Sequence, residues 1–95
     1  MNKEELLFII NCHGTKMQED VAIEEMAELQ KAIIKHRRYA GEETMAEIID
    51  ELADVEIMIE QLKIIYSCKN EVENRIAYKI NRQIGRILRK YGIEK

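Results

Sequence analysis

Glu25 and Glu28 lie three residues apart, and so do Glu51 and Asp54. On a helix that spacing projects both carboxylates of a pair from one face, about one turn apart. Two unit charges at about 4 Å repel by roughly 4 kcal/mol at an effective dielectric near 20, and desolvation adds to the cost. Four acids brought together therefore require raised pKa values, basic partners or divalent cations. All-oxygen ligation suits the hard cation Mg²⁺, above all when a substrate phosphate completes its shell. The chemistry expected here is Mg²⁺ binding by Glu25, Glu28, Glu51 and Asp54. The competing reading makes the same acids surface or interface residues paired with Lys and Arg, as charged helices usually are. Glu24 and Asp50 point further from the apolar arcs and read as solvated.

The elements that must position these acids are helices. Thr15 to Gln18, Thr44 to Glu47 and Asn70 to Glu73 each place a capping side chain three residues before Gln or Glu, the pattern of a capping box. Gly14, Ala40 to Glu43, Ser67 to Asn70 and Gly92 fall where helices must stop or be joined. The pattern predicts four helices, over about 3–12, 16–39, 45–66 and 71–91. On a wheel of 100° per residue, Val21, Ala22, Met26, Leu29, Ala32 and Ile33 form one apolar arc, with Glu25 among them and Glu28 at its edge. Ile48, Leu52, Val55, Met58, Ile59 and Leu62 form another, with Glu51 inside it and Asp54 at its border. Packing the two arcs together collects the four acids. Ile23, Ala27 and Ile34, and Ile49, Ala53 and Ile64, make second arcs that a subunit interface would bury. The expected fold is an all-α, four-helix bundle assembling as a homodimer or homotetramer.

Length and composition agree with a single small domain over 1–95. The chain has 95 residues, 46% hydrophobic and 35% charged, with no proline, which excludes collagen-like, low-complexity and mostly disordered chains. Cys12 and Cys68 make no disulfide framework, and with His13 and His36 they lack zinc spacing. The acidic start and the five-residue apolar run Leu6 to Ile10 suit neither a signal peptide nor a membrane span, so a cytoplasmic protein without membrane association is expected. Charge is lopsided: residues 1–68 carry 7 basic and 15 acidic side chains, net −8, and residues 69–95 carry 8 and 3, net +5. Arg75, Lys79, Arg82, Arg86 and Arg89 form one stripe, which suits either a solvated face or phosphate contact. Five Tyr and Phe side chains in the whole chain offer no stacking platform, so nucleic acid is not an expected partner.

Glu24-Glu25-Met26-Ala27-Glu28 and Glu51-Leu52-Ala53-Asp54 resemble the EExxE and ExxD signature of the MazG-like all-α nucleoside triphosphate pyrophosphatases. Gln18 ahead of the motif, Glu28-Leu29-Gln30-Lys31 after it and Ala53 to Met58 around its second half look like small bacterial and phage-type members. The likeness runs over roughly residues 14–90. It implies Mg²⁺ ligation by Glu25, Glu28, Glu51 and Asp54, and cleavage of a nucleoside triphosphate to the monophosphate and pyrophosphate.

A spare carboxylate near the metal, Glu47 or Glu24, is the candidate to take a proton from water. Lys31 and Lys35, four apart, would meet triphosphate oxygens or simply neutralise Glu28. The spacing of Lys79 and Arg82 is similar to basic residues of the family's last helix. The resemblance places base recognition near the first two helices, where Asn11, His13 and Gln18 offer polar groups. No Walker loop or Ser/His/Asp set competes. Two alternatives stay open: a phosphoribosyl-ATP pyrophosphohydrolase, and a non-enzymatic helical module whose acids pair with the basic last helix.

Overall fold

The computed structural model describes residues 1–93, all helix and short turns, with no strand among them. The helices are α1 (Lys3–His13), α2 (Thr15–Arg38), α3 (Glu42–Ile65) and α4 (Lys69–Tyr91). No helix among the described residues is long and apolar enough to cross a membrane.

The number of helices matches the capping pattern, but the caps do not. Asn2 caps α1, its side-chain oxygen accepting from the N–H groups of Glu4 (2.8 Å) and Glu5 (3.3 Å). Thr15 caps nothing. Gly14 alone links α1 to α2 at φ +90°, a conformation open to glycine at little cost, so α2 begins at once. α3 starts about one turn earlier than the pattern predicts. Thr44 is consequently inside its first turn, where its hydroxyl accepts from the Gly41 N–H at 3.0 Å and meets His36 Nδ1 at 2.8 Å. α3 ends in a Schellman closure: the Cys68 N–H bonds the Lys63 carbonyl and the Ser67 N–H that of Ile64, each at 3.1 Å, with Ser67 at φ 51°. That closure makes Cys68 the residue preceding α4 and leaves Asn70 within the first turn, not capping it.

α2 and α3 run antiparallel and make the main contact of the fold. Two side-chain pairs fix their register, His36 with Thr44 at one end and Gln18 with Gln61 (2.8 Å, buried) at the other. The seam runs through positions 18, 22, 25, 29, 32 and 36 on α2 and 44, 48, 51, 55, 58 and 62 on α3, all of them covered. Both series alternate steps of three and four, the seam of a two-helix coil. The real seam is thus centred on Glu25 and Glu51 rather than beside them. Met26, Ile33, Leu52 and Ile59, expected between the helices, lie at one edge and are 38–46% exposed. Polar Gln18, Thr44 and Gln61 are buried in their place. Hydrophobicity alone assigns an arc to its greasiest residues, whereas here mutual hydrogen bonds make polar side chains acceptable inside.

α1 lies against both α2 and α3 and buries Leu6 and Ile10. α4 comes near α3 only, at their junction, and has no buried residue. The radius of gyration, 17.2 Å, exceeds the roughly 13 Å of a compact 100-residue domain. The excess belongs to α4, which stands away from the other three helices.

Candidate metal centre

The antiparallel register sets residue 25 of α2 beside residues 51 to 55 of α3. One oxygen each of Glu25, Glu51 and Asp54 falls in a group whose members all lie within 4.8 Å of one another. Glu25 and Glu51 are half-buried, because both occupy seam positions, and Asp54 is exposed at the rim. Burial, then the charge of Asp54 and the proton shared with it, then the same two effects from Glu51, push the Glu25 carboxyl above its ordinary 4.5.

Oε2 of Glu51 is buried and has no hydrogen-bond partner. A carboxylate oxygen withdrawn from water and left unpaired costs free energy that a bound cation restores. Three carboxylates with no nitrogen or sulfur donor form a hard set that fits Mg²⁺, which is commonly held by one or two carboxylates together with waters and phosphate oxygens. Glu25, Glu51 and Asp54 are therefore the residues that would hold it.

Glu28, the fourth expected ligand, is not in this group. It lies one turn along α2, exposed, and meets Lys31 Nζ at 3.4 Å. It still shares a cleft with the centre: Glu28, Lys31, Ala32, Lys35, Glu47 and Glu51 line a space of about 330 Å³. Lys35 Nζ crosses from α2 to Glu47 on α3 at 2.9 Å. Lys31, Lys35 and Glu47 thus line the cleft that Glu51 of the acidic group also borders. Glu24 is exposed and lines neither the centre nor the cleft.

Two other groups of residues are placed elsewhere. Gln18 is buried with its amide donating to Gln61, so it is neither in a capping box nor open to solvent; Asn11 and His13 are exposed near the end of α1. Lys79 and Arg82 lie on α4, whose backbone does not approach α2. Arg75 and Arg82 rest over the Tyr78 ring, with 4.7 Å and 5.6 Å to its centroid, a cation–π arrangement. No ion pair joins α4 to the acids of α2 or α3 among the described residues.

Gln61 and Thr44 escaped the sequence reading. For Thr44 the signal was present in principle, since it continues the spacing of the α3 seam, but its polar type hid it; Gln61 falls between seam positions 58 and 62 and gave no such signal. No protein-family model matches the chain, and neither does any curated protein or solved structure.

Proposed function

We propose that the chain is a Mg²⁺-dependent nucleoside triphosphate pyrophosphohydrolase of the MazG-like kind, acting as a homodimer or homotetramer. The observation that carries the reading is the convergence of Glu25, Glu51 and Asp54, one oxygen of each within 4.8 Å of the others, together with a buried oxygen of Glu51 that has no hydrogen-bond partner among the described residues. The motif resemblance supports it, and so does the arrangement of acids and lysines in one cleft.

When bound, Mg²⁺ supplies charge neutralisation on phosphate oxygens and acidifies water. The remaining work falls to side chains of the chain. Lys31 and Lys35 exchange their partners Glu28 and Glu47 for phosphate oxygens, placing positive charge where the transition state spreads negative charge. Glu47, released from Lys35, accepts the proton of the attacking water. Water supplies one oxygen, the anhydride linkage between the α- and β-phosphates opens, and pyrophosphate leaves. Glu28, at the cleft edge, would be a further ligand for the ion when Lys31 turns away. Lys79 and Arg82, on α4, lie away from the cleft and take no part in it. Gln18 holds the start of α2 through Gln61 and does not meet the base.

The test is incubation with a panel of canonical and modified NTPs and dNTPs plus Mg²⁺, scored for nucleoside monophosphate and pyrophosphate. Activity is expected in the wild type and lost in Glu51→Gln and Asp54→Asn with helical content retained. Absence of pyrophosphate from every nucleotide, or wild-type activity retained in both variants, overturns the reading.

A further inference from the structure

Two apolar surfaces of the chain are left without a partner, and they do not touch each other. The first is on the α2–α3 pair. Residues 19, 26 and 33 form one heptad-spaced row, and 45, 52, 59 and 66 form another. Tyr66 donates its phenol hydrogen to Glu19, which fixes both rows on the same side of the seam. Lys35 and Glu47, which belong to the rows 28/35 and 47/54, meet on the opposite side. Met26, Ile33, Met45, Leu52 and Ile59 therefore make one exposed face, back to back with the acidic cleft. The second surface is the stripe Ile76, Ile80, Ile84 and Ile87 on α4, 45–52% exposed. At 1.5 Å per residue, Met45 to Ile59 and Ile76 to Tyr91 are each about 21–22 Å long, so the two surfaces match in length.

We infer that α4 of one copy docks along the α2–α3 apolar face of a second copy, and that the exchange is reciprocal. Charge selects this pairing. Residues 1–68 carry net −8 and residues 69–95 net +5, so α4 is attracted to the body of another copy and repelled by another α4. Geometry selects it too. The Schellman closure at Ser67 and Cys68 directs α4 away from its own body, with no approach to α2. Pairing face to face leaves both Ile stripes in water, and pairing stripe to stripe leaves both faces there. Only the exchange covers all four surfaces in one dimer. The inference deepens the self-association in the proposed function and uses no part of its metal chemistry, so the two are tested separately.

Sedimentation velocity on the full chain decides it, using one arm variant, Ile84→Asp, and one face variant, Leu52→Asp. Both positions are about half exposed in a single chain, so circular dichroism should show helicity retained. A second pair, Ile80→Lys and Ile59→Lys, repeats the test if either first variant misfolds. The wild type is expected to associate at micromolar concentration, and each variant alone to dissociate with a dissociation constant raised about a hundredfold or more. The decisive arm mixes the two variants in equal amounts. One intact arm then meets one intact face, and a heterodimer reappears. A monomeric wild type, an assembly indifferent to either substitution, or a mixture that stays monomeric overturns the exchange.

Discussion

Glu25 of α2 and Asp54 of α3 bring carboxylate oxygens within 4.8 Å of each other across a helix seam, with Glu51 completing the group. Neither the Lys31–Glu28 pair nor the Lys35–Glu47 pair neutralises this trio. Without a cation its members repel, and the Glu25 carboxyl therefore keeps its proton to a pH above the ordinary 4.5.

That proton gives the metal-free protein a definite pH dependence. With the folded-state pKa raised above the unfolded one, the folded state binds more protons in the window above 4.5. Stability must then fall as pH rises through that window. Thermal melts in EDTA should show a melting temperature that declines as pH climbs from the ordinary carboxyl value towards neutrality. Millimolar Mg²⁺ should flatten or reverse the decline, because it stabilises only the ionised cluster. A decline of equal size with and without Mg²⁺ counts against the cation.

Neutralising Glu25 separates strain from structure. Glu25→Gln removes one repelling charge from a half-buried position, so apo stability at neutral pH should stay level or rise by about 1 kcal/mol, or roughly 4–8 °C. Structural ion pairing by Glu25 would give a loss of 2 kcal/mol or more instead, on the order of a broken buried pair. Denaturant unfolding in EDTA reads the sign directly.

The buried amide pair carries a different expectation. Gln18 donates to Gln61 at 2.8 Å inside the seam. Gln18→Ala strands a buried amide and should cost about 1–3 kcal/mol, whereas replacing both by Leu should cost clearly less than the single change. Urea unfolding of the two variants checks the asymmetry.

Much of this architecture is legible in the residues, and the limits have physical causes. The alternation of 3.6-residue periodicity with breaks at Gly14, at Gly41 and over Ser67 to Asn70 is enough to give four helices. The spacing of Glu25, Glu51 and Asp54 is enough to give a shared face. Rotation within the seam is not legible, because Met26 and Leu52 are more apolar than Gln18 and Thr44, yet the polar residues are inside through hydrogen bonds to partners on the facing helix. Glu28 shows a related limit: three-residue spacing predicts proximity to Glu25, but the step carries it round the helix to the cleft edge and to Lys31. The separation of α4 depends on Ser67 adopting a left-handed conformation, which nothing in a Tyr-Ser-Cys stretch announces.

Gly14 is the position where backbone alone sets the outcome. At φ +90° an added Cβ meets no atom within 4 Å, so Gly14→Ala introduces strain without a clash. A loss of about 1–2 kcal/mol is expected, with α1 loosened from α2 first. Hydrogen exchange at Leu6 and Ile10, the residues α1 buries, should accelerate before exchange in the α2–α3 seam does.

The lysines of the cleft are expected to matter to activity and not to folding. The Lys35–Glu47 pair is about half exposed at both side chains, and such pairs contribute below about 1 kcal/mol. Lys35→Met should leave the melting temperature nearly unchanged and lower kcat/KM for a nucleoside triphosphate by tenfold or more. A variant as active as the wild type removes Lys35 from the phosphate site.

The most direct measurement is a Mn²⁺ titration followed by electron paramagnetic resonance, with Mg²⁺ as competitor, on the wild type and on Glu51→Gln. A seam built for a divalent ion takes up Mn²⁺ saturably, releases it to Mg²⁺, and loses at least tenfold in affinity in Glu51→Gln while circular dichroism is unchanged. Absence of saturable uptake by the folded wild type, or equal affinity in the variant, contradicts a metal role for the cluster.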